Sequence, residues 1–200
     1  KLDTLSGQMT ELVRIWQSGT TNSGNTGNTP VQGTENNTSN EKVEETPDIN
    51  DAYIKEQLGL VATELINLAN SDTIKNAMSE LDTSSISVKG TVSNVNMTSV
   101  SKAFKEISKL KDNNRYITKT FFGTKEENFV SAPELEVPKT YTPTSEQWYK
   151  LAQTGKDVQC SQIHQDEFTK EYVVTLSIMV KKNDREVGVL GAQINLSKIK

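Results

Sequence analysis

Two alternating β segments near the C-terminus constrain this chain more than anything else in it. Tyr172, Val174, Leu176, Ile178 and Val180 interleave with Val173, Thr175, Ser177 and Met179. That period of two is the pattern of a strand with one strongly buried face. Lys181-Lys-Asn-Asp-Arg185 then turns the chain, and Val187 to Ile194 returns antiparallel. Gly188 and Gly191 thin the returning strand, which predicts a bulge or a ligand lying close to the backbone.

Upstream, the apolar spacing changes from two to three and four. Leu2, Leu5, Met9, Leu12 and Trp16 form one helical stripe, and Ile54, Leu58, Val61, Leu65 and Leu68 form a second. The second resumes less regularly at Ile74, Met78 and Leu81 and reads as one long helix over about 51–82. Its stripe suits either a partner helix, as in a homodimer, or a sheet beneath it. Between the two stripes, residues 19–50 hold only Val31, Val43 and Ile49 as aliphatic residues among Thr, Asn, Ser, Gly and Glu. Such a segment buries too little apolar area to offset its ordering entropy and reads as a disordered linker. The overall hydrophobic fraction of 34% is low for that local reason. The chain thus divides into an amphipathic helix (1–18), a polar linker (19–50) and a domain (51–200).

Within that domain, Val100, Phe104, Ile107 and Leu110 predict a short helix closed by Asn113-Asn114. Residues 115–122 and 128–132 read as paired strands around Gly123, and residues 157–163 as a further strand. Thr144 and Gln147 match a capping box that would open a short helix carrying Trp148 and Tyr149, stopped at Gly155. The sum is an α+β fold: a long N-terminal helix, then a PAS-like antiparallel sheet of about five strands with short helices on one face.

Charge and composition exclude several functions. A net charge of −4 with mixed signs leaves no basic face for nucleic acid. One cysteine, Cys160, rules out an internal disulfide. Cys160 and the sole histidine, His164, are four apart on a predicted strand, about 13 Å along it. They are also too few for a zinc site, so no metal and no cofactor are expected. No phosphate loop, nucleophile elbow or paired-carboxylate signature appears, and the chain reads as non-enzymatic. No run of about eighteen apolar residues marks a membrane span.

The order Tyr141-Thr-Pro-Thr-Ser-Glu-Gln-Trp-Tyr149, strand, strand, then Gly188-Val-Leu-Gly-Ala-Gln-Ile-Asn-Leu196 resembles the extracytoplasmic Cache domain of bacterial chemotaxis receptors. The resemblance covers roughly residues 110–197. It implies a small-molecule-sensing module outside the cell, held to the membrane by flanking helices that this chain lacks. A histidine kinase or cyclic-dinucleotide enzyme carrying the same module, or a structural module with no ligand, are the alternatives. Relatives that bind amino acids have Tyr-x-x-x-x-Arg-x-Trp-Tyr, then a strand Tyr and a later Asp. Those positions fall on Tyr141, Glu146, Trp148 and Tyr149, near Ile163, and on Gln193. Glu146 would repel a carboxylate that Arg would grip, and Gln193 offers no charge to an ammonium. The expectation is therefore a pocket that takes an uncharged or cationic small molecule, not a standard amino acid held by that Arg/Asp scheme, or one that is empty and read through another protein.

Overall fold

The computed structural model describes residues 51–199 except Asn94, Glu167 and Phe168. The predicted N-terminal helix and polar linker lie outside the described residues. Helix α1 (Asp51–Asn70) buries Ile54, Leu58, Val61 and Leu65, the stripe read from the sequence. The single helix expected over 51–82 is divided. Ser71 adopts an extended conformation, its hydroxyl accepts the Ile74 N–H at 3.2 Å, and α2 (Asp72–Thr83) starts there. Serine caps a helix better than it continues one, and Asp72 complements the new N-terminus. The six-residue gap from Leu68 to Ile74 marks the break. After a short strand β1 (Lys89–Gly90), α3 (Thr98–Asn113) buries Val100, Ala103, Ile107 and Leu110.

The remaining strands are β2 (Ile117–Gly123), β3 (Phe129–Ala132), β4 (Gln159–Cys160), β5 (His164–Gln165), β6 (Tyr172–Lys182) and β7 (Arg185–Asn195). They form one sheet in the order β1-β3-β2-β7-β6-β4, with β5 also on β6. It has seven strands instead of the five expected. It is mixed, because β1 runs parallel to β3. The strand predicted over 157–163 resolves into the short pair β4 and β5. The β6–β7 hairpin turns at Asn183 and Asp184, both with positive φ (50° and 60°), as a two-residue turn between right-twisted strands requires.

Alternation along the strands gives the sheet two different faces. Phe122, Leu176, Leu190, Ala192 and Ile194 join the helices α1, α2 and α3 in the larger core. Phe121, Phe129 and Val189 face the other way, under α4 (Gln147–Gln153), with Trp148, Tyr149 and Ala152. Both faces of β6 are therefore covered, not one. A Cβ on Gly188 would come 2.3 Å from the Gly123 carbonyl oxygen; the glycine permits a close approach of the β7 and β2 backbones.

Candidate functional site

A cavity of about 660 Å³ lies between the sheet and the segment that leads into α4. Its floor is the outward face of the central strands. Lys119 and Phe121 come from β2, Gln193 from β7 and Thr175 from β6. Lys119 stands directly opposite Gln193 in the antiparallel register, and Gln193 opposite Thr175, so the three side chains share one face. Its roof is Tyr141, Glu146, Gln147 and Trp148; Asp166 and His164 form the side next to β6.

The aromatic wall is built by close approach. A Cβ on Gly191 would lie 2.6 Å from the Phe121 ring, so glycine there lets that ring lie against the sheet. Gly191 thus makes room for a side chain, and no ligand is needed to explain it. A Cβ on Gly123 would meet Pro143 at 2.6 Å and the Trp148 ring at 2.9 Å. Phe121 meets Trp148 edge-on at 4.8 Å between centroids, and Phe129 meets Tyr141 in the same manner at 4.9 Å. Burial and, secondarily, the Glu146 carboxylate push the Tyr141 hydroxyl up to about 12, so it stays a neutral donor and acceptor.

The polar groups are few and placed. Lys119 Nζ lies 3.5 Å from Asp166 Oδ2, a loose contact in which the side chains are 29% and 10% exposed. Asp166 is oriented by its other oxygen, Oδ1, which accepts the Thr169 N–H at 3.0 Å and its hydroxyl at 3.3 Å. The Thr118 hydroxyl donates to Gln193 Oε1 at 2.8 Å, leaving the amide nitrogen of Gln193 as a donor beside the cavity.

Of the residues picked from the sequence, Tyr141, Glu146, Trp148 and Gln193 meet at this cavity. Tyr149 does not line it; it is 3% exposed and packs beneath Trp148 at 5.5 Å between centroids. Ile163 does not line it either and packs against the larger core. The capping box also resolves otherwise. Pro143–Ser145 forms a 3₁₀ turn, α4 starts at Gln147, and the Thr144 hydroxyl binds the Glu127 carboxylate. A partner far along the chain outcompetes the local cap. Cys160 is buried on the helix side of the sheet, its thiol pushed up to about 12 by burial. Among the described residues no group of three or more His, Cys, Asp or Glu could hold a metal. Sequence reasoning missed Lys119 and Asp166. Lys119 could have been found by extending the period of two from Phe121 and pairing β2 with β7; nothing local in the sequence sets Asp166 apart from Glu167 and Glu171.

Comparison with known proteins agrees with the resemblance. Residues 107–200 match the family described as methyl-accepting chemotaxis protein-like, first PDC sensor domain. This part of the chain is similar to a PDC sensor domain. Over 95 residues (47% of the chain) it is 30% identical to the methyl-accepting chemotaxis protein McpC of Bacillus subtilis. Over 106 residues (52%) it is 29% identical to TlpB of the same organism. The chain spans only 14% and 15% of those receptors' own length. A likeness of fold extends beyond the matched stretch. A solved ligand-binding domain of the Pseudomonas aeruginosa amino acid chemoreceptor PctC, in complex with GABA, covers 74% of this chain and 56% of its own at 16% identity (TM-score 0.52). The expectation of a ligand outside the amino acids does not stand. A solved domain that shares this fold is that of an amino acid chemoreceptor, and Lys119 and Asp166 line the same cavity as Glu146 and Gln193.

Proposed function

We propose that the chain is the extracytoplasmic sensing region of a transmembrane chemoreceptor, and that its cavity takes an amino acid. One observation carries this reading: a cation and an anion, Lys119 and Asp166, stand side by side at the mouth of an aromatic-walled cavity. An amino acid presents the complementary pair. Its carboxylate would sit on Lys119 Nζ and the Gln193 amide, its ammonium on Asp166, and its side chain against Phe121, Phe129 and Trp148. The Lys119–Asp166 contact is long enough that a ligand bridging both groups replaces one weak pair with two charge-assisted hydrogen bonds. The cavity volume falls in the range of small-molecule sites, roughly 300–1,000 Å³.

Sensing, not catalysis, fits these groups. The one thiol is buried on the opposite face of the sheet. Among the described residues no helix is long and apolar enough to cross a membrane. Membrane attachment would come from segments beyond these residues.

Signal output would run through β2 and β7, the strands that carry Lys119 and Gln193. The Tyr116 carbonyl at the start of β2 accepts the Asn195 N–H at 2.8 Å at the end of β7. The Tyr116 hydroxyl meets that of Tyr53 on α1 at 2.9 Å. A ligand that binds one placement of these strands more tightly would shift α1 with them, by no more than its difference in affinity between the two states. Thermal-shift measurements on the whole chain with the twenty amino acids test the reading. A ligand at a hundred times its dissociation constant adds about 2.7 kcal/mol. Stabilisation by at least one amino acid, clearly reduced in Asp166→Asn, is expected; none by any would refute it.

A further inference from the structure

The proposed zwitterion site uses Lys119 and Asp166 and leaves one charge at the cavity unused. Glu146 sits in the roof next to Trp148. It occupies the N-cap position of α4, yet its side chain makes no capping hydrogen bond. Its carboxylate has no hydrogen-bond or ion-pair partner among the described residues. It shares the cavity with the Tyr141 hydroxyl, which stays protonated, and with the aromatic wall of Phe129, Tyr141 and Trp148. A carboxylate beside electron-rich ring faces is a receptor for a cation. The charged groups facing the cavity are then Lys119, Asp166 and Glu146, one positive and two negative; His164 is exposed at the rim and hydrogen-bonded to the Gln162 carbonyl.

We infer that Glu146 is the specificity residue of this site, and that it selects amino acids whose side chain ends in an ammonium or guanidinium group. The inference rests on the amino-acid reading and narrows it. With the α-carboxylate on Lys119 and the α-ammonium on Asp166, the side chain crosses the aromatic wall and its terminal cation reaches Glu146. All three charges at the cavity are then matched. A neutral side chain leaves Glu146 unmatched, and an acidic one is repelled by it.

Calorimetric titration of the whole chain with L-lysine, L-arginine, L-norleucine and L-glutamate decides the matter. Norleucine has nearly the length of lysine without the charge. Lysine or arginine should bind about tenfold or more tightly than norleucine, the scale of one hydrogen bond to a charged group. Glu146→Gln should collapse that ratio, and Glu146→Lys should bring in L-glutamate. Norleucine binding as tightly as lysine, or a ratio unmoved by Glu146→Gln, overturns this inference and leaves the amino-acid reading standing. Failure of every amino acid to bind overturns that reading and this one with it.

Discussion

The two faces of the sheet are made by the same strands and have opposite characters. On the helix side, Phe122, Leu176, Leu190 and Ile194 meet Leu65, Ile74, Met78 and Ile107, all essentially without solvent exposure. On the cavity side, the neighbouring positions are Lys119, Thr175, Ser177 and Gln193, with an aromatic cluster covering only part of them. Ser177 carries a buried hydroxyl with no partner there. One face is filled to stabilise the domain; the other accepts polar and incompletely matched groups, the mark of a surface kept for something else. Stability and binding should therefore respond to different substitutions.

The largest stability loss belongs to the filled face. Phe122→Ala should destabilise by about 3–5 kcal/mol in denaturant unfolding, from lost transfer energy and the cavity left behind. Gly191→Ala comes next, at about 1–3 kcal/mol, because its methyl collides with the Phe121 ring. This variant should also lose ligand, since the ring it displaces is a cavity wall. Cys160 gives a pH test of the filled face. Burial raises its thiol from an ordinary value near 9 to about 12. The stability gained by keeping it neutral is present below pH 9 and lost as pH rises toward 12. Cys160→Ala should flatten the alkaline limb of the stability curve. Tyr53→Phe removes one hydroxyl pair and should cost about 0.5–1.5 kcal/mol. If Tyr53 carries the signal as proposed, this variant should weaken output in an intact receptor more than it weakens ligand affinity. The smallest stability change should be that of Asp166→Asn, below about 1 kcal/mol, because its contact with Lys119 is long at 3.5 Å and asparagine keeps the oxygen that accepts from Thr169. Its affinity for ligand should nonetheless fall about tenfold or more. A variant whose stability and affinity fell in parallel would erase the distinction between the faces.

How much of this was legible in the sequence follows the same division. The β6–β7 hairpin could be read because alternation, length and an Asn-Asp turn all agree locally. The buried stripe of α1 was visible for the same reason. Local signals failed where a tertiary partner or a single cap decided the outcome. Ser71 ends α1 inside what looked like one stripe, and Thr144 gives its hydroxyl to Glu127 across the domain. In the cavity, the aromatic Trp148 and the departures at Glu146 and Gln193 were visible. Their neighbours were not, because Lys119 and Asp166 join them only through strand register and tertiary contact.

A crystal structure of the whole chain grown with the amino acid that most raises its melting temperature tests the central claim most directly. The ligand is predicted under α4, with its ammonium hydrogen-bonded to Asp166, its carboxylate on Lys119 and its side chain along Trp148. An amino acid bound elsewhere, or seated in this cavity with neither charge engaged by those two residues, would contradict it.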